Sequence, residues 1–336
     1  MAEATSKLEA TFASALEELT PNQTLGIAVS GGGDSMALLA LARDWAATAG
    51  ITLTVATVDH GLRPESPDEA AFVAQTCADW EIPHQILELS GLDRAGNLPA
   101  MARNARYDAL SAWAVSSGAE TVLLGHTMDD QAETLLMRLA RGSGVEGLSG
   151  MADRMTWNRV QFLRPLLGIR RNTLRTWLCQ RAVSWVEDPT NDDDRYDRVK
   201  AREALALLDP LGVTVEGLSE TANRLSRQRK VLETAADELS AAHVTYAEHS
   251  ASLQRDAFRD AVPDTAMRVL ALVLQRIGGK QYRPRFRALE PLYQRIVSQE
   301  QTTITLSHCL IRLQRDEVQI ELEHPDAAHP SAFYST

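Results

Sequence analysis

Residues 30–35 read Ser-Gly-Gly-Gly-Asp-Ser. Glycine lets a backbone approach an anion closely and turn through positive φ, and the N–H groups that open a following helix point at that anion. Ser30, Gly31, Gly32, Gly33, Asp34 and Ser35 therefore form a candidate phosphate cradle, with two hydroxyl donors. No lysine follows, and the spacing is neither G-x-x-x-x-G-K-[ST] nor G-x-G-x-x-G. An acid inside such a nest makes sense when it holds Mg2+, or a water on it, against phosphates, which assigns Asp34 to a metal. Asp129, Asp130 and Glu133 form a second acidic group, with Asp130 and Glu133 one helical turn apart on the same face. That pair would cage an ammonium group, and Asp129 joins Asp34 at the metal. The plainer alternative is a helix start whose acids complement its dipole.

The elements that must position these residues alternate. Residues 25–29, 51–60, 84–89 and 120–126 read as strands, and residues 35–47, 67–80, 100–117 and 129–141 as the helices between them. Four such alternations predict an α/β fold with a doubly wound parallel sheet, whose ligands gather at the carboxyl ends of the strands. The polar clusters fall there: residues 30–35 after the first strand, Asp59 and His60 at the end of the second, and His126 with Asp129 and Asp130 after the fourth. Asp59 and His60 would face the adenosine of a nucleotide, and His126 its base or phosphate. A structural histidine is the alternative for His126. Arg106 lies mid-helix, where a solvated salt-bridge face is the plain reading. The glycine-rich stretch 141–150 reads as a lid over the site, with a plain connector as the alternative.

The segment 30–35 resembles the S-G-G-x-D-S loop of the PP-loop ATP pyrophosphatases, which implies ATP as the cosubstrate and cleavage to AMP and pyrophosphate. Further segments are similar in order and spacing to tRNA(Ile)-lysidine synthetases: "VDHGLR" at 58–63, "NARYDAL" at 104–110, "LLGHTMDDQAETLLMRLARGSGVEGLSGM" at 123–151, "RPLL" at 164–167 and "WVEDPTN" at 185–191. That resemblance, over roughly residues 22–205, implies adenylation of C2 of the wobble cytidine in a CAU-anticodon isoleucine tRNA, followed by displacement of AMP by free L-lysine. It makes Asp130 and Glu133 the lysine-binding pair and places Arg106 beside the nucleotide. The family's R-N-x-x-R element maps to Arg198 and Arg202, with Val199 where the family has asparagine.

The net charge of −11, taken alone, argues against a nucleic-acid partner. Charge is unevenly spread, however. Residues 154–181 hold seven arginines and no acid, and residues 276–287 hold five basic residues and no acid, two islands suited to tRNA or to solvated faces. Cys77, Cys179 and Cys309 form no C-x-x-C, which weighs against a 2-thiocytidine synthase built on a cysteine-held cluster. A nucleotide-binding module without turnover is the other alternative. No leader or membrane-spanning run is visible, so a cytoplasmic protein without membrane or DNA partners is expected, with a homodimer left open. Residues 1–207 are expected to form the synthetase domain, 208–217 a linker, 218–325 a smaller, mainly helical α+β tRNA-binding domain ending in a hairpin, and 326–336 a tail. Longer members of the resembled family carry a further C-terminal domain, which is not expected in a chain of this length. Recognition of the tRNA would then rest on residues 218–325.

Overall fold

The computed structural model describes residues 2–59, 66–89, 98–187, 197–280 and 283–323. The chain divides into two compact units, Met1–Ser226 and Arg227–Thr336.

The first unit runs α1 (Ala2–Ser14), β1 (Thr24–Ala28), α2 (Gly33–Ala49), β2 (Thr52–Asp59), α3 (Ser66–Asp79), β3 (His84–Glu88), α4 (Leu98–Ser116), β4 (Ala119–Leu124) and α5 (Met128–Ala140). It continues through α6 (Val145–Leu148), β5 (Arg154–Trp157), β6 (Val160–Leu163), α7 (Arg171–Gln180), α8 (Asp197–Leu208) and the start of α9 (Val215–His243). The sheet order is β3-β2-β1-β4-β6-β5, parallel except for β5, which pairs antiparallel with β6 at the edge. Alternation along the strands builds two cores. Leu25 and Ile27 of β1, Leu53 and Val55 of β2 and Leu123 of β4 pack with α1, α2 and α7, whereas Ala28, Ala56, Val122 and Leu124 pack with Tyr107, Leu110 and Trp113 of α4. The chain proceeds outward in opposite directions from β1 and β4, so the loops after these two strands flank the point where strand order reverses.

Two strands in this unit escape the sequence pattern. The hairpin β5–β6 lies in the first basic island, its strands are only four residues long, and its turn places Asn158 and Arg159 at φ 46° and 68° without a glycine to signal it.

The second unit continues α9 and adds β7 (Val244–Tyr246), β8 (Ser250–Gln254), α10 (Arg255–Asp260), α11 (Pro263–Ile277), α12 (Phe286–Val297), β9 (Thr302–Leu306), β10 (Cys309–Leu313) and β11 (Glu317–Leu322). Its antiparallel sheet has the order β7-β8-β11-β10-β9, so the expected terminal hairpin is part of a five-stranded sheet. Val269, Leu270, Val273, Leu274 and Ile277 of α11 share its core with Ile311, Val318 and Ile320. Arg255 lies within this core at 0% exposure and donates to the carbonyls of Ile296, Arg295, Glu300 and Gln314, joining the end of α12 to the β10–β11 turn. Replacing it with methionine removes all four donations at a fully buried point; the Arg295 and Ile296 carbonyls keep Ser298 Oγ and the Gln299 amide, whereas the Glu300 and Gln314 carbonyls lose the guanidinium that holds them. Arg255→Met is expected to lose at least about 3 kcal/mol, read from urea unfolding of the full chain.

Candidate active site

The loop after β1 closes on itself through its serines. The Ser30 amide donates to Ser35 Oγ at 3.1 Å, the two hydroxyls lie 3.2 Å apart, and Ser35 Oγ donates to the Gly32 carbonyl at 2.9 Å. Gly31 sits at φ +91°, and its carbonyl accepts from the Val186 amide at 3.0 Å, so residues 185–186 back the turn. Behind it, α2 begins at Gly33 and presents its amino end at the reversal point. The neighbouring loop comes very close. A Cβ on Gly125 would stand 3.1 Å from Ser35 Cα and 3.3 Å from the Asp34 carbonyl carbon, so a side chain there would push the two loops apart.

Thr127 caps α5, and Asp130 completes a capping box by accepting from the Thr127 amide and hydroxyl on one oxygen, both at 2.8 Å. The capping alternative is thus half of what Asp130 does. Its other oxygen faces Arg171 Nη2 at 3.1 Å and Arg198 Nη1 at 3.5 Å. Glu133, one turn on and 1% exposed, accepts on Oε1 from Arg171 Nη1 at 3.3 Å and from Arg202 Nε at 3.2 Å. Arg171 Nε also donates to Asp34 Oδ2 at 2.8 Å, so one guanidinium joins Asp34, Asp130 and Glu133. Asp129 accepts from the Arg171 amide at 2.7 Å and from Arg170 Nε at 3.3 Å, which makes it the cap of α7. Arg170 also pairs with Glu216, so Asp34, Asp129, Asp130, Glu133 and Glu216 share Arg170, Arg171, Arg198 and Arg202.

The local fields differ around this cluster. Burial would raise the pKa of Asp130, but Arg171, Arg198 and the Thr127 amide outweigh it and hold the carboxyl below its ordinary value. Asp34 goes the other way, because burial exceeds the pull of Arg171. Burial opposes the charge on Arg171 as well, yet Asp130, Asp34 and Glu133 raise its pKa and keep it cationic. Two buried oxygens, Asp34 Oδ1 and Glu133 Oε2, have no partner among the described residues. His126 also has a buried, unpartnered Nδ1, and burial with the nearby Arg164 pushes it down to about 3, so the ring is neutral. Arg106, on α4, is held below the ordinary arginine value by burial and by the charges of Arg103, Arg198 and Arg164. Positive charge is thus concentrated beside His126.

The structure brings together Asp34, Asp129, Asp130, Glu133, Arg198 and Arg202 among the residues singled out from the sequence, with His126 and Arg106 within electrostatic reach of them. Asp59 ends β2, and His60 lies outside the described residues. Arg198 and Arg202 share one face of α8, while Val199 is turned into the interior at 7% exposure. Asp197 pairs with Arg141 instead of these arginines. Sequence reasoning missed Arg170 and Arg171. The first basic island is not a free surface: Arg154, Arg170, Arg171, Arg175 and Arg181 pair with carboxylates, and Arg164 is buried against Tyr107 and the Ala152 carbonyl.

The stretch expected as a lid is anchored. Arg138 Nη1 donates to the carbonyls of Gly147 and Gly150, and the Gln131 amide group exchanges two hydrogen bonds with the Met151 backbone. Gly150 has φ +68°, and a Cβ there would lie 2.5 Å from Gln131 Oε1. Gly150→Ala is expected to cost about 2 kcal/mol from the left-handed backbone alone. Thermal unfolding should fall by roughly 4–8 °C.

The arrangement is a glycine-rich strand-to-helix loop facing a buried cluster of carboxylates and arginines, and residues 4–208 match the PP-loop domain family. The chain is 46% identical over 266 residues to the tRNA(Ile)-lysidine synthase of Ruegeria pomeroyi, covering 79% of this chain and 63% of that protein. It is 38% identical over 326 residues to the tRNA(Ile)-lysidine synthase of Hyphomonas neptunium, covering 94% and 86% respectively. The chain belongs to the tRNA(Ile)-lysidine synthase family. It spans slightly less than two thirds of the length of the Ruegeria relative. The U34-tRNA thiolase NcsA from Methanococcus maripaludis, solved with its 4Fe-4S cluster, shares the fold at a TM-score of 0.57 and 16% identity over 67% of this chain and 79% of that one. In this chain Cys77 and Cys309 are buried in separate hydrophobic cores and Cys179 is exposed on α7. Among the described residues no group of histidine, cysteine or acidic side chains converges as a metal-binding set, and no helix is long and apolar enough to cross a membrane.

Proposed function

We propose that the chain ligates L-lysine to C2 of the wobble cytidine of a CAU-anticodon isoleucine tRNA, consuming ATP. The observation that carries this reading is the convergence of a lysine-free phosphate loop with the buried acids Asp130 and Glu133 at one reversal point of the sheet. Cytidine C2 is a poor electrophile, because its carbonyl is conjugated with two ring nitrogens and an attacking amine finds no leaving group. Adenylation supplies one. The C2 oxygen attacks the α-phosphate and pyrophosphate departs; the lysine ε-amine, as the free base, then bonds to C2, AMP leaves with the oxygen, and the amine's proton is released.

The chain's own groups divide this work. Residues 30–35 and the amino end of α2 hold the phosphates. Asp34, with one buried oxygen unclaimed, suits Mg2+, which usually takes one or two carboxylates and completes its shell with phosphate oxygens and water. When bound, Mg2+ neutralises phosphate charge. Asp129 would reach it only by giving up Arg170 or its cap on α7. Asp130 and Glu133 hold an ammonium group of lysine. Arg106, Arg164 and Arg198 stabilise the phosphate charge that grows as AMP leaves. Asp59 and His60 are assigned to the adenosine, and residues 218–325 to the body of the tRNA.

A substrate comparison tests this. With ATP and Mg2+, AMP release should require a transcript carrying cytidine at the wobble position and fall to background with uridine there. Equal AMP release from both transcripts would overturn the reading.

A further inference from the structure

Arg171 occupies the position that the proposed lysine ammonium needs. Its guanidinium engages Asp130 Oδ1 and Glu133 Oε1, while Asp130 Oδ2 is spent on the Thr127 cap. An ammonium brings three donors and no acceptor. With Arg171 seated, it finds the unpartnered Oε2 of Glu133, which is 1% exposed, but no unshared oxygen on Asp130. Full occupation of the pair requires Arg171 to leave. Its shortest contact of the three is to Asp34, at 2.8 Å against 3.1 and 3.3 Å. Asp34 is also the residue in the phosphate loop.

We infer that Arg171 orders substrate binding: it closes the acidic pair in the free enzyme and vacates it when Mg2+ and the ATP phosphates engage Asp34. Two changes act together on arrival of the nucleotide. Asp34 turns its charge to the metal, so Arg171 loses its closest partner. The phosphates offer the freed guanidinium a bidentate acceptor nearby. Lysine then competes with a guanidinium held by fewer contacts, and its affinity rises by the coupling between the two states. This inference rests on the assignment of lysine to Asp130 and Glu133 and of Mg2+ to Asp34.

Calorimetric titration of L-lysine into the full chain tests it, with and without Mg2+ and α,β-methylene ATP, whose αβ linkage resists cleavage. The wild-type chain should bind lysine at least about 10-fold more tightly with the nucleotide, within the usual range of allosteric coupling. Arg171→Met should bind lysine without nucleotide about as tightly as the loaded wild type, and the coupling should shrink toward unity. Wild-type affinity that is indifferent to the nucleotide would overturn the ordering role without depending on any variant's folding. Loss of lysine binding by a folded Arg171→Met in both states would overturn it too, by showing that Arg171 supports the pair. If no form binds lysine in any state, the lysine site itself is wrong and the ordering falls with it.

Discussion

Asp34→Asn abolishes AMP formation while leaving the chain folded: release of AMP and pyrophosphate is expected to fall about 10²–10³-fold, the scale of removing one preorganised electrostatic group. The substitution keeps the side chain's size and one acceptor but removes the charge that faces both Arg171 and the phosphate loop. The loss of turnover should fall on the adenylation step. Pyrophosphate release in a single turnover, measured with excess enzyme and no lysine, reads that step alone. A normal burst from Asp34→Asn would remove Asp34 from the metal and return it to the role of a simple partner for Arg171.

Glu133→Gln has the opposite signature. Glu133 is buried and binds Arg202 and Arg171 through one oxygen, leaving the other for an incoming cation. Losing that charge should weaken lysine binding by about 2 kcal/mol or more, in the range for truncating one partner of a buried charge pair. That corresponds to a roughly 30-fold rise in the KM for lysine. Adenylation of the tRNA should continue, so AMP release uncouples from lysine incorporation at low lysine concentration. A drop in kcat with an unchanged lysine KM would show that Glu133 serves the adenylation step instead.

The parts of the fold legible in the sequence are those where local pattern and tertiary role coincide. The strands β1 to β4 carry β-branched runs between amphipathic helices, and their limits fall within a residue or two of the pattern. The turn at residues 30–35 was legible because glycines between a β-prone run and an apolar helical run mark a strand-to-helix junction. The β5–β6 hairpin was not, since four-residue strands rich in polar and basic side chains carry little alternation. Arg171 shows the deeper limit. In the sequence it is one of seven arginines between residues 154 and 181, with nothing to set it apart. Its partners lie 38 to 137 positions away, and only the fold brings them to it. A signal was present in its place at the start of a helix just after "RPLLGI", but a helix start gives no hint of three carboxylates opposite. Val199 was legible only as a departure from the family pattern; the fold shows an apolar side chain turned inward between two arginines that still reach their acids.

In the proposed function the acidic pair delivers lysine to an adenylated tRNA base. Incubation of the full chain with isotopically labelled L-lysine, ATP, Mg2+ and an unmodified CAU-anticodon isoleucine transcript, followed by nuclease digestion and mass spectrometry of the nucleosides, tests it most directly. The expected product is a single cytidine per tRNA carrying one labelled lysine, formed in step with AMP. Release of AMP with the wobble cytidine recovered unmodified, from a preparation that binds ATP, would contradict it.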